Sequence, residues 1–312
     1  MKKITAYSFA LLLTLATLAT SFASLALDKK PFQVKEFTLN GVGKLQAKTS
    51  GGSIKVTGGS GNQVKVMVFV TPANWKKRLD APSPEALAKY TIDVRQEGNT
   101  IYAIAERKDK GWNKEDALSI GFEIEVPEQM ACNLHTSGGS INLASVTGDQ
   151  EVKTSGGSLD FKNIKGNMNA HTSGGSITLD DYQGNLNAQT SGGSITIKDA
   201  KGRVKAHTSG GSIQLHDIAG DIDAHTSGGS IHADITSLGK YLTLETSGGS
   251  VHATIPGGEG LDLDLEGNRV KTALTNFNGT SDTRRVKGTV NGGGIPVKMS
   301  TSGGTTELAY RL

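Results

Sequence analysis

The chain has 312 residues, of which 41 are glycine and only 7 proline, while hydrophobic residues make up 36% and aromatics 5%. Glycine at about 13%, against an ordinary usage of roughly 7%, excludes collagen and proline-rich disorder when proline does not match it, and the thin apolar content excludes a helical bundle. Charge is nearly balanced, 33 − 30 = +3, or 31 − 30 = +1 once Lys2 and Lys3 leave with a leader; this is not the basic excess of a nucleic-acid binder, and the single Cys132 leaves no internal disulfide or cysteine-based zinc site.

Residues 1–26 read as an export signal. Lys2 and Lys3 form a positive n-region, Phe9 to Leu18 an apolar h-region, and Ser24-Leu25-Ala26 a small-x-small cleavage site. Ile4 to Leu27 is free of charge and long enough to span a bilayer, so an uncleaved anchor is the alternative. Seven Ser and Thr dilute that segment, which favours cleavage. No cysteine stands at the cleavage point for a lipid, and no second apolar run of spanning length follows. The expected mature protein starts at Leu27, has no transmembrane span, and lies outside the cytoplasm, in the periplasm, on the outer surface or secreted.

Residues 27–71 hold N-terminal strands and a first coil. Here Thr49 opens the pentapeptide Thr-Ser-Gly-Gly-Ser, which returns at Thr136, Thr154, Thr172, Thr190, Thr208, Thr226 and Thr246, with a variant at Thr301. From Thr136 to Thr226 the spacing is 18 residues every time. A fixed short period predicts a stack of coils, each too small to bury its apolar face without neighbours.

Residues 72–118 break the pattern and are expected to form an insertion that decorates or caps the N-terminal end. Ser83-Pro84-Glu85 predicts a capped short helix through Tyr90. Tyr90 to Arg95 and Thr100 to Glu106 alternate around Gly98-Asn99, which predicts a β-hairpin. Both tryptophans fall in its basic loops, Trp75 before Lys76, Lys77 and Arg78, and Trp112 near Lys114. These six residues are candidates for stacking on sugar rings and pairing with acidic glycan groups, the alternative being that each indole packs over the solenoid end.

Residues 119–255 are the regular array. In the coil from Ser176, Ile177/Leu179 and Leu186/Ala188 alternate with polar residues, the signature of two short strands with one buried face. The bends are assigned to the paired glycines Gly138 and Gly139, Gly156 and Gly157, Gly174 and Gly175, Gly192 and Gly193, Gly210 and Gly211, Gly228 and Gly229, and Gly248 and Gly249, through positive φ and close stacking. A second bend falls near Asp181 to Gly184, its glycine recurring as Gly148, Gly166, Gly202 and Gly220. One predicted inward ladder is Ile141, Leu159, Ile177, Ile195, Ile213, Ile231 and Val251; another is Cys132, Gln150, Met168, Leu186, Val204 and Ile222, with Gln150 a polar exception. Cys132 thereby reads as a small buried hydrophobe. Residues 256–312 are expected to form irregular C-terminal coils.

The fold class predicted is all-β, a single-chain β-solenoid of 18-residue coils with an N-terminal hairpin and short-helix insertion. The apolar gaps of 2, 3, 4, 2 and 7 contain no six-residue step, which argues against a hexapeptide helix, and Ser-Ile after the glycines lacks the aspartate of calcium-binding nonapeptide rolls. The Thr-Ser-Gly-Gly-Ser-Ile units, Val126-Pro127-Glu128, Thr254-Ile255-Pro256 and Asn291-Gly292-Gly293-Gly294 resemble the bacterial putative-adhesin β-solenoid family and are similar to head-GIN adhesin domains, over roughly Val34 to Leu312. The resemblance implies the fold, and brings no catalytic residues.

The remaining chemistry is sparse. His135, His171, His207 and His225 share one solvent-facing phase, in which His207 and His225 neighbour one another, but Lys153, Gln189 and Glu245 fill the same row, so a surface row is expected rather than a metal site. Asp180, Asp181, Asp199 and Asp217 form an exposed acidic ladder of the kind used by solenoid lyases and hydrolases, although turn chemistry accounts for the Asp181, Asp199 and Asp217 row. No Gly-x-Ser-x-Gly elbow, phosphate loop or His-Glu-x-x-His is present, nor the outward Thr-x-Thr rows of an ice-binding solenoid. The expectation is an exported non-catalytic module without cofactors, adhesin-like, with a cell-surface glycan or an envelope protein as partner and no nucleic acid; a glycan-processing enzyme is the competing reading.

Overall fold

A computed structural model describes residues 30–74, 81–108 and 117–311. Within the compact unit Pro31–Leu312, the described residues form strands and one short helix. At the N-terminal side are β1 (Gln33–Thr38), β2 (Gly43–Thr49), β3 (Ile54–Gly59), β4 (Gln63–Pro72), α1 (Pro84–Ala88), β5 (Tyr90–Glu97), β6 (Thr100–Arg107) and β7 (Leu118–Pro127). The array runs through β8 (Met130–Thr136), β9 (Ile141–Thr147), β10 (Gln150–Thr154), β11 (Leu159–Thr172), β12 (Ile177–Thr190), β13 (Ile195–Thr208), β14 (Ile213–Thr226), β15 (Ile231–Thr246) and β16 (Val251–Pro256). The C-terminal side holds β17 (Leu261–Glu266), β18 (Arg269–Thr272), β19 (Phe277–Ser281), β20 (Arg285–Val290), β21 (Ile295–Thr301) and β22 (Thr305–Arg311).

Within the array every neighbour is parallel, and from β11 to β14 the pairing is in register at one 18-residue offset; between β14 and β15 the register shifts, and the offset grows from 18 residues at Ile213 and Ile231 to 20 at Ile222 and Leu242. Both predicted inward ladders are buried over their whole length, and Cys132 pairs with Gln150, Gln150 with Met168 and Met168 with Leu186. Gln150 fits this apolar row because its amide is satisfied inside it. Its Nε2 donates to the Met130 carbonyl at 2.9 Å, and its Oε1 accepts from the Cys132 N–H at 3.1 Å, so no buried polar atom is left unpaired. A third inward row, Val146, Ile164, Tyr182, Ala200 and Ile218, lies between two bends, and the Tyr182 hydroxyl donates to the Gly166 carbonyl at 2.7 Å.

Those bends explain the second turn. Ser145, Asn163, Asp181, Asp199 and Asp217 all take left-handed φ between 51° and 59°, a conformation that short polar residues tolerate best after glycine, and Gly148, Gly166, Gly184, Gly202 and Gly220 follow three residues later with φ from 114° to 142°. The paired glycines of the first turn act differently from expectation, since none has a positive φ. Their requirement is stacking, and it falls most heavily on the second glycine of each pair. A Cβ on Gly193 would overlap the Gly175 backbone carbonyl, whereas a Cβ on Gly192 would meet nothing closer than 3.5 Å. The flanking residues clip the coils together. Buried Thr190 donates its hydroxyl to the Gly175 carbonyl at 2.8 Å and accepts from its own Gly193 N–H at 3.3 Å, while the Ser176 hydroxyl accepts from the Ser194 N–H at 3.2 Å.

The nine clips form one ladder although two long stretches of chain interrupt them. β2 and β3 stack on β8 and β9, so Thr49 lies one coil before Thr136, and Thr136 donates to the Gly52 carbonyl at 2.8 Å. On their other side, β2 and β3 pair with β6 and β7. The segment expected to decorate the end therefore builds a further coil outside the first one, and Val126-Pro127 closes that coil as well as leading into β8. The C-terminal end mirrors this arrangement: β21 and β22 stack on β15 and β16, and then pair with β17 and β18.

Antiparallel strands finish both ends. β4 covers β7, β1 covers β4, and β5 covers β6, while β20 covers β17 and β19 covers β20. They occupy the edges that a bare end coil would leave open. The hairpin forms at the predicted place, with Glu97 opposite Thr100 and Gly98 at φ 56°. The helix is shorter than expected: Ser83 Oγ accepts from the Ala86 N–H at 3.2 Å, but the helix ends at Ala88 because Tyr90 already belongs to β5. Asn291-Gly292-Gly293-Gly294 carries the chain from one side of β17 to the other, with positive φ at all four residues.

Candidate functional site

Trp75, Lys76, Lys77 and Arg78, and Trp112 and Lys114, lie outside the described residues, as does the leader 1–26. The described residues beside the two tryptophan segments are close together, since the Ala73 N–H donates to the Ala117 carbonyl at 2.7 Å where β4 and β7 end.

Within the described residues, the most organised polar surface is a face of the array that sequence reasoning did not single out. It follows from strand alternation: while Gln150, Met168 and Leu186 point inward, their neighbours on either side point out. Register places Asp149, Asn167 and Asn185 in one outward row, Glu151, Asn169 and Asn187 in the next, and Lys153, His171 and Gln189 in a third. The side chains are bonded from coil to coil. Asn167 donates to Asp149 at 2.8 Å and Asn185 to Asn167 at 2.9 Å, while Asn169 donates to Glu151 at 3.0 Å and Asn187 to Asn169 at 2.9 Å. Each amide is thus held in one orientation, and its remaining donor and acceptor capacity faces solvent. The signal available in the sequence was the recurrence of Asn at the two positions flanking the inward residue.

The first row is broken by Ala131, the short side chain between Lys44 and Asp149. A cavity of about 380 Å³ opens there, bordered by Lys44, Asn133, Asp149, Glu151, Asn167 and Asn169. Its volume lies within the ordinary range for small-molecule sites, and its rim offers the Lys44 ammonium, the Asp149 and Glu151 carboxylates and the amides of Gln46, Asn133, Asn167 and Asn169, of which Asn167 and Asn169 are bonded to the two carboxylates.

The other candidate groups are accounted for by their surroundings. His207 and His225 are register neighbours, and His225 contacts Asp223 at 2.5 Å through Nε2 and Glu245 at 3.1 Å through Nδ1. Among the described residues no three His, Cys, Asp or Glu side chains are grouped to hold a metal ion. Asp181, Asp199 and Asp217 occupy the left-handed bend, whereas Asp180 belongs to a different row, with Lys162, Lys198 and His216. Cys132 is fully enclosed, and burial pushes its thiol up to about 12, far from the range of a nucleophile.

Parallel coils, a continuous threonine ladder and polar outer rows define a β-solenoid repeat protein. The Toastrack family, DUF4097, matches residues 123–309, and the chain belongs to that family. Similar solved structures include a putative adhesin from Bacteroides fragilis, 12% identical, covering 88% of this chain and 96% of that one with a TM-score of 0.40. A putative lipid binding protein from Parabacteroides distasonis is 14% identical over 90% of this chain and 97% of that one, TM-score 0.42. A putative adhesin from Parabacteroides merdae is 10% identical over 90% and 97%, TM-score 0.36. No curated protein matches. Among the described residues, no helix is long and apolar enough to cross a membrane.

Proposed function

We propose that this protein is an exported, non-catalytic adhesin-like module of the cell envelope, and that it binds a glycan chain along its outer polar rows. The observation that carries this reading is the pair of bonded ladders, Asp149, Asn167 and Asn185 in one and Glu151, Asn169 and Asn187 in the other. A hydroxyl-rich ligand exchanges hydrogen bonds with water for hydrogen bonds with amides, and gains only if little side-chain freedom is lost on binding. Amides already fixed by their neighbours meet that condition. Repetition at about 4.8 Å allows several weak contacts to act on one polymer, so that affinity accumulates along the axis.

A glycan-array screen of the mature protein tests this, followed by Asn167→Leu/Asn169→Leu in the same assay. Loss of at least tenfold in affinity with an unchanged melting temperature is the expected result. Unchanged binding by the double variant moves the site elsewhere, first to the Trp75 and Trp112 segments. There, replacing both tryptophans with Ala removes binding at little cost in stability if they are ligand platforms, and lowers stability by roughly 3 kcal/mol if they pack over the end. Intact mass of the envelope fraction tests export: a chain starting at Leu27 is expected, and retention of residues 1–26 would identify an anchor.

A further inference from the structure

A cavity of about 530 Å³, larger than the one beside Ala131, lies at the N-terminal end of the solenoid, on the sheet formed by β3, β7, β4 and β1. Val64, Val66 and Ile124 point into the core, so alternation turns their neighbours outward, and register sets those neighbours out as a grid. Lys55, Glu123 and Met67 stand side by side in one row, and Thr57, Glu125, Lys65 and Glu36 in the next. All seven line the cavity.

Three pairs of opposite charge face each other in this grid, Lys55 with Glu123, Glu125 with Lys65, and Lys65 with Glu36, at a spacing where charged side chains of adjacent strands interact. Among the described residues none of these five side chains has an ion-pair partner within 4.0 Å. The C-terminal end shows the ordinary outcome: across β17 and β20, Arg285 reaches Asp264 at 3.0 Å and Glu266 at 3.7 Å, and Lys287 reaches Asp264 at 4.0 Å. The cavity is also kept open where packing does not demand it. Gly59 on its border has no left-handed φ, and a Cβ there would meet nothing within 4 Å, so neither backbone nor neighbours require glycine. Gly58 beside it, by contrast, is imposed by the Ser145 carbonyl.

Lys55 and Lys65 against Glu36, Glu123 and Glu125 leave a net charge of 2 − 3 = −1 on the cavity. Glu123, Lys65 and Met67 are half-buried, so the two charged groups among them are screened less than fully exposed ones. We infer that this cavity binds a free diamino acid, whose two ammoniums, one carboxylate and net positive charge complement it. The Glu125 and Lys65 row receives the α-ammonium and the α-carboxylate, which sit side by side on one carbon. The Glu123 and Met67 row receives the side chain, its terminal ammonium on Glu123 and its methylenes on Met67. Glu123 and Glu125 are two residues apart on one strand, hence about 7 Å, a distance that the two nitrogens of an extended lysine can span.

Isothermal titration of the full mature chain with L-lysine tests this, with norleucine, which lacks the terminal ammonium, and 6-aminohexanoate, which lacks the α-ammonium, as controls. Saturable lysine binding that weakens with added salt is expected, with each control at least tenfold weaker. Glu123→Gln should weaken lysine binding at least fivefold at an unchanged melting temperature, because it keeps the shape of a side chain that has no ion-pair partner in the chain. Asn167→Leu/Asn169→Leu should leave lysine binding unchanged, which separates this site from the glycan-binding rows. Absence of saturable lysine binding overturns the inference. So do norleucine binding as tightly as lysine, equal affinity in Glu123→Gln, and loss of lysine binding in the Asn167→Leu/Asn169→Leu chain.

Discussion

The regular array and the two ends solve the same problem by different means. From β8 to β16 each coil stacks in parallel on the next, so one backbone arrangement recurs and the same side chains recur with it. At the ends the chain leaves that regime: β4 and β5, and β17 with β20, close the sheet with antiparallel strands, and Asn291 to Gly294 needs four positive φ values in a row to return the chain to parallel pairing. Repetition is efficient where both neighbours exist. Where one neighbour is missing, irregular sequence is required, and it is there that the charged cavity over β7 and β4 arises.

The largest expected effect comes from the turn glycines. Gly193→Ala forces a Cβ into the Gly175 carbonyl and should cost several kcal/mol or prevent folding, while Gly192→Ala should stay within about 0.5 kcal/mol. Equal urea midpoints for the two variants would show that stacking is looser than the structure has it. Next is the inside/outside phase. Met168→Asp buries an unpaired charge and should also cost several kcal/mol, whereas Asn169→Asp, which faces Glu151 and loses a donated hydrogen bond, should cost no more than about 1 kcal/mol.

A smaller effect separates the clip from its exposed neighbour. Thr190→Val keeps the shape but strands the Gly175 carbonyl and the Gly193 N–H, at about 1–3 kcal/mol, while Ser191→Ala at an exposed position should be silent in the same thermal melts. The smallest concerns alkaline pH. The Cys132 thiol is raised in the fold from 9.0 to about 12, so its contribution to stability is complete below about pH 9 and is lost progressively as pH rises toward 12. Tyr182, raised by burial, acts in the same direction. Cys132→Ala should flatten part of the decline in melting temperature over that window, and an unchanged slope would exclude the thiol as its cause.

The sequence by itself determined the period, the two inward ladders and the outward phase of the histidines, because side-chain alternation along a strand is local and 18-residue recurrence aligns it from coil to coil. It also determined the hairpin at Gly98, where turn chemistry is local too. Only the tertiary structure decided that Thr49 lies next to Thr136 and Thr246 next to Thr301, since which coil stacks on which depends on pairing across long separations that no local pattern records. It likewise decided which glycine of each pair is the more tightly stacked, why Gln150 is admitted to an apolar row, and that the Asn rows bond from coil to coil. Each of these depends on what the neighbouring coil places a few ångströms away, and a residue's own surroundings in sequence carry no information about that atom.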